Sequence, residues 1–355
     1  MKTSSISSLT IQNAMRLTIS DAQKQMSDAQ TEVTTGKYAD VGTELGAKTS
    51  SAVDLNRDSL RLQSLMDTNS IVSTRLDASQ TALDTIASAA TTMQSTLVGL
   101  GTSTDSTTLD SAQKTMKSAM DSFIDAANTS VNGEYLFSGI NTDVKPITDY
   151  YYIDDDGNET DAKQNFDNLF SGYFGMSPDD DGVSGISADQ MDDFMENVLE
   201  PSFDGADWTD NWSAATDETM TSRISKNEVI QSSSSANSDG FRYTGLVSVI
   251  GSEMLNGNYS TETRNAMISK AIEYSGLAVS GINDERTQLG LSQERVTNAN
   301  DSLTSQKDII ENQLSNLTGV DAYEASTRLN NLQSLVETSY TLTARLQKLS
   351  LVDYL

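Results

Sequence analysis

Residues 62–100 read LQSLMDTNSIVSTRLDASQTALDTIASAATTMQSTLVGL, and this stretch decides the fold. Leu62, Leu65, Asn69, Val72, Leu76, Ser79, Leu83, Ile86, Ala90, Met93, Leu97 and Leu100 follow one another in unbroken steps of three and four. That spacing is the a/d seam of a helix packed against another helix. A straight helix over this span would be about 58 Å long at about 1.5 Å per residue. Asn69 and Ser79 interrupt the apolar seam. They read either as buried polar groups that fix register or as positions half exposed at a layer boundary.

The pattern extends outward in both directions. Upstream, Met15, Ile19, Ala22, Met26, Ala29 and Val33 repeat it, until Gly36 and the Gly42–Gly46 stretch interrupt. Downstream, Leu109, Ala112, Met116, Ala119, Phe123 and Ala127 follow a short break at 99–108, which predicts an antiparallel return. Far along the chain, Val296, Ala299, Leu303, Ile310, Leu314 and Leu317 form another stripe. After Gly319 it resumes as Ala325, Arg328, Leu332, Leu335, Ser339, Leu342, Leu346 and Leu349. The stripes run almost to both ends of the sequence, where chains normally fray, so something should bury them.

The only three prolines, Pro146, Pro178 and Pro201, fall between these arms. A proline inside a helix costs about 3 kcal/mol, so two proline-free arms suit long helices. The stretch 145–215 between them holds 18 acidic and two basic residues (Lys145, Lys163) and 11 of the 22 aromatics, including Trp208 and Trp212. Disordered acidic tracts are poor in aromatics, so this one predicts a small folded module with its own core. Tyr150-Tyr151-Tyr152-Ile153 reads as a strand within it. The expected fold is mainly α: a long antiparallel helical bundle or coiled coil formed by the N- and C-terminal arms, with a small α+β or β-rich insert. The expected divisions are 1–45 and 321–355 as paired terminal helices, 46–144 and 216–320 as two halves of the bundle, and 145–215 as the insert.

Composition excludes much chemistry. There is no Cys and no His, so disulfides, thiolate or imidazole zinc sites and Ser–His or Cys–His nucleophile pairs are ruled out. The net charge of −28 repels phosphate, which argues against nucleic acid and anionic membranes as partners. No stretch approaches the roughly 20 apolar residues that span a bilayer, and the first residues lack the apolar run of a cleaved signal. Gly42-Thr43-Glu44-Leu45-Gly46-Ala47-Lys48-Thr49 mimics a phosphate loop, but it has three residues between the glycines instead of four, and Ala47 precedes Lys48. Asp154-Asp155-Asp156-Gly157 and Asp179-Asp180-Asp181-Gly182 suggest calcium loops. With each Gly at loop position six, Tyr152 or Ser177 takes the first ligand position and Lys163 or Ala188 the last. Acidic turns are the better reading, with weak calcium binding left open. No catalytic, cofactor or metal residue is expected, and no enzyme.

Three segments carry a resemblance. Asn128-Thr129-Ser130-Val131-Asn132-Gly133-Glu134-Tyr135-Leu136-Phe137-Ser138-Gly139-Ile140-Asn141-Thr142, with its core Gly-Glu-Tyr-Leu-Phe-Ser-Gly, resembles the signature of flagellar hook–filament junction proteins, the hook-associated proteins of the third type. Ile11-Gln12-Asn13-Ala14 through Gly36-Lys37-Tyr38 resembles the start of the flagellin superfamily, and Gly319-Val320-Asp321-Ala322 through Val352-Asp353-Tyr354-Leu355 its end. The form is most similar to alphaproteobacterial junction proteins. One departure is that Ala39-Asp40-Val41-Gly42 stands where many members carry an Asp-Asp-Pro-like turn.

The resemblance implies a secreted structural protein of the bacterial flagellum, exported by the type III route without signal cleavage and aided by an export chaperone. It implies paired terminal helices lining an inner tube and self-association in a ring-like zone. The partners it implies are flagellin and the hook-side hook-associated protein. The expected assembly seam sets Met15, Ile19, Met26 and Val33 against Leu332, Leu335, Leu342, Leu346 and Leu349. Flagellin itself is the nearest alternative. A surface adhesin or cell-wall hydrolase using the acidic module is the alternative from another class.

Overall fold

The computed structural model describes residues 8–101, 105–255 and 258–352, the side chains of 8, 9, 12 and 346–352 excepted. Long helices dominate it. They are α1 (Ser8–Thr35), α3 (Thr49–Leu100), α4 (Ser106–Ala127), α9 (Thr261–Thr318) and α10 (Ala322–Val352), with a single turn and a half, α2 (Val41–Leu45), between the first two. The 52 residues of α3 and the 58 of α9 correspond to helices of about 78 and 87 Å. No helix among the described residues is long and apolar enough to cross a membrane. The chain divides into two compact units, residues 1–64 with 302–355, and residues 65–301.

In the second unit the seam of 62–100 is the core. Val72, Leu76, Leu83, Ile86, Ala90, Met93, Leu97 and Leu100 are buried, and so are Leu109, Met116 and Phe123 of α4. The break at 99–108 turns the chain back, as Asp105 caps α4 by accepting from the Thr108 amide at 2.9 Å. Asn69 and Ser79 are fully buried rather than half exposed. The Asn69 amide donates to the Ile224 carbonyl at 2.9 Å and to Asn300 at 2.8 Å, tying α3 to α9 and to the hairpin of β3 (Thr221–Arg223) and β4 (Val229–Gln231).

The stretch 145–215 differs from expectation in two respects. It is mostly helical, with α5 (Asp161–Phe174), α6 (Ala188–Phe194), a π-turn at Met195–Leu199 and α7 (Gly205–Asn211). The residues expected as a strand form a turn, and only Ile153 pairs, with Glu159. Asp154 is the reason: its carboxylate accepts the amides of Asp156 and Asn158 at 2.9 and 2.8 Å and reverses the chain. The stretch also lacks a separate core. Tyr150, Trp212 and Trp208 stack at 5.2 and 5.6 Å between centroids, and Phe203 packs on both indoles. This aromatic group is continuous with the bundle core, because Phe203 and Trp208 lie against Gly245 of α8 (Asp239–Val249). The phenol of Tyr274 on α9 donates to Glu200, and Tyr151 donates to Glu253 in a second π-turn, Ile250–Met254. Where the chain leaves α4 and returns, Ile147 pairs with Ser213, and Asn128 holds the Ile147 backbone with two hydrogen bonds.

Candidate assembly interface

The residues expected to form a seam lie in the first unit, where α1 packs along α10. The pairing is antiparallel: Glu32 meets Arg328, Gln23 meets Tyr340, and Met15 meets Thr343. On α1, Ile19, Ala22 and Ala29 are buried, and Met15, Met26 and Val33 are half-buried, so this stripe faces its partner. On α10 the covered residues are Ala325, Leu332 and Val336, flanked by half-buried Leu329, Ser339 and Thr343. Leu335 and Leu342 are not covered, being 46% and 47% exposed, and Leu346 and Leu349 lie outside the described side chains.

The difference is one of phase. After Leu332 the covered stripe steps by four to Val336, where the expected seam stepped by three to Leu335. An α-helix drifts about 20° per heptad against a strict 3.5-residue repeat, so a long stripe rotates away from a straight partner. Leu335 and Leu342 therefore form an apolar flank that α1 leaves open. Leu17 on α1 is 72% exposed, and Tyr340 and Tyr323 on α10 are exposed as well. A groove lined by Tyr323, Thr327, Asn331, Leu332 and Leu335 runs along the same helix.

Polar groups pin the pair. The Glu32 carboxylate is buried; one oxygen lies 3.4 Å from the Arg328 guanidinium and the other accepts the Ala39 amide at 3.3 Å. Directly after α1, the Tyr38 amide donates to Thr318 at 2.9 Å and the Val320 amide donates to Gly36 at 3.0 Å. Both helix ends thus turn together at a two-residue bridge between Lys37 and Gly319. Sequence reasoning missed Glu32, Gln23 and Val336. A signal for Glu32 was present, since Arg328 occupied a seam position and a charge there needs a buried partner.

The Gly42–Lys48 stretch forms α2 and a short 3-10 turn, with Asp40 accepting the Thr43 amide at 3.0 Å, so its amides do not converge on an anion site. Asp180 accepts the Gly182 amide at 2.8 Å, as Asp154 does in its own turn, and these carboxylates close their loops. Among the described residues no group of three acidic side chains is arranged to hold a metal ion.

The Gly133–Gly139 segment is a knot in the second unit. Asn132 and Gly133, both at positive φ, make the tight turn between β1 (Ser130–Val131) and β2 (Glu134–Tyr135). Arg75 of α3 reaches it, pairing with Glu134 at 2.8 Å and donating to the Tyr135 carbonyl at 2.9 Å. Leu136 and Phe137 are buried, with Phe137 5.2 Å from Phe241 of α8. Ser138 pairs with Ser235, and Gly139 sits against the Thr216 and Glu218 backbone. Each residue type in the segment therefore has a local reason.

Comparison with known proteins matches residues 6–142 to the bacterial flagellin N-terminal helical region and residues 272–355 to the bacterial flagellin C-terminal helical region. Among solved structures, a Vibrio parahaemolyticus protein described as a candidate flagellar hook-associated protein superposes with a TM-score of 0.51 at 11% identity, over 78% of this chain and 99% of that one. At that identity the likeness is one of fold. No curated protein matches.

Proposed function

The chain belongs to the flagellin superfamily, a structural component of the bacterial flagellum, and from that premise we propose that it joins the hook to the filament. The observation that carries assembly is the α1–α10 pair, which buries one apolar stripe and leaves Leu17, Leu335 and Leu342 bare. A second layer of subunits would cover that flank, much as α1 covers Leu332. The Gly-Glu-Tyr-Leu-Phe-Ser-Gly segment supports the junction role over the filament role. In this reading the chain leaves the cell by the flagellar type III route with a chaperone's help. It then forms a short ring-like zone whose neighbours are the hook-side hook-associated protein and flagellin. The role is architectural, with no reaction to catalyse.

That both family matches are to flagellin regions keeps the filament subunit as the second reading. Deleting the gene and viewing the cells separates the two. Hooks without filaments, with flagellin shed into the medium, are expected of a junction protein. Normal filaments would refute the role. Loss of the filament with no flagellin in the medium would favour the filament subunit. A chain lacking 325–355 should keep the second unit folded and fail to restore attachment.

A further inference from the structure

Charge is divided between the two units very unequally. The unit of residues 1–64 and 302–355 carries 11 basic and 13 acidic residues, a net −2, whereas residues 65–301 carry 12 basic and 38 acidic, a net −26. The near-neutral unit is the one with the open apolar flank of Leu17, Leu335 and Leu342. In the other unit Asp155, Asp156, Asp181, Asp207 and Asp210 are among the acids fully open to solvent. Helices α3 and α9 pass from one unit into the other, so copies that gather through their neutral units must also gather their charged ones.

We infer that association between copies of this chain is gated by ionic strength: the neutral unit supplies the contact, and self-repulsion of the acidic unit opposes it until salt screens the charge. The inference rests on the assembly reading above and adds its regulation. Apolar contact between near-neutral surfaces has little direct salt dependence. Repulsion between two bodies of net −26 reaches about 30 Å at 0.01 M salt, about 10 Å at 0.1 M and about 3 Å at 1 M. Added salt should therefore tighten association. Contacts made of ion pairs between copies would respond in the opposite direction. The repulsion also favours arrangements that keep acidic units far apart, which disfavours dense packing of many copies.

Sedimentation velocity of the full chain, at sodium chloride concentrations from about 0.01 to 1 M, tests this. The association constant is expected to rise by about tenfold or more over that range. A variant with D155N, D156N, D181N, D207N and D210N is expected to associate at lower salt than the parent, since none of these side chains makes contact with the α1–α10 pair. Association that is unchanged or weakened by salt overturns the gate and leaves the assembly reading standing. A variant with L335D and L342D should stay dissociated at every salt. Association of that variant equal to the parent's, or no association of the parent at any salt, overturns the reading of the flank itself.

Discussion

Gly133 and Gly139 lie six residues apart in one segment, both with positive φ, yet they are constrained differently. A Cβ on Gly133 would meet nothing within 4 Å, while one on Gly139 would fall 2.4 Å from the Thr216 carbonyl oxygen and 2.6 Å from that of Glu218. Gly133→Ala should therefore cost only the strain of its backbone angle, about 1 kcal/mol. Gly139→Ala adds a clash with backbone that cannot swing away, and about 2–4 kcal/mol is expected. Urea unfolding of the two variants checks this; equal losses would show that the contact with the 216–218 segment is unimportant. At the same scale, the segment's Glu134 is explained by Arg75, which is almost wholly buried and needs an acceptor.

At the scale of the element, α10 presents two apolar flanks with different tasks. Leu332 is covered by α1 and Leu335 is open. Leu332→Ala should lower the stability of the α1–α10 pair by about 2 kcal/mol, because it leaves a cavity. Leu335→Ala should change it by less than about 0.5 kcal/mol. Swimming should respond to both, since the second substitution removes surface that neighbouring subunits would cover. Thermal unfolding set beside motility on soft agar reads the difference; a Leu335→Ala chain that is fully stable and fully motile would remove that flank from the assembly. The expected seam ran through Leu335 and Leu342 because spacing shows that a face is apolar without showing which half of it the partner takes. Asn69 was legible as an anomaly in the seam of α3, but its partners Ile224 and Asn300 lie 155 and 231 residues away, where no local pattern could point.

For the whole molecule, the buried tyrosines set an alkaline limit. Tyr150, Tyr151, Tyr259 and Tyr274 all titrate above the usual range. Burial is the main cause in each, reinforced by the Glu253 charge beside Tyr150 and Tyr151 and by the hydrogen bond to Glu200 at Tyr274. In the unfolded chain these phenols lose their protons near pH 10, whereas the folded protein holds them. The folded state therefore binds more protons above that pH, and stability falls as pH rises further. Melting temperature should stay nearly level from about pH 7 to 9 and drop above about pH 10. A share of the phenolate absorbance should appear only with unfolding. Smooth titration of every tyrosine near pH 10 in a folded protein would contradict the buried network.

The insert shows how far composition reaches. Its 11 aromatics announced a fold and not a disordered tract. They did not announce that Trp208 and Phe203 would close against Gly245 of α8, because aromatic content measures how much surface must be buried and not what buries it. Tyr150 through Ile153 had a strand's composition and became a turn, since the following Asp154 satisfied nearby amides more cheaply than a distant strand would.

The helices, their apolar stripes, the turnback at 99–108 and the acidic character of the middle were determined by the sequence alone. Each depends on interactions within a few residues: periodicity, proline placement and capping. Only the tertiary structure decided that Leu332 and Val336 are covered while Leu335 and Leu342 stay open, that Glu32 answers Arg328, and that the insert shares the bundle's core. Those outcomes depend on the phase and separation of segments hundreds of residues apart. A helix fixes its own period, but a neighbour must be in place before one side of a stripe becomes the inside.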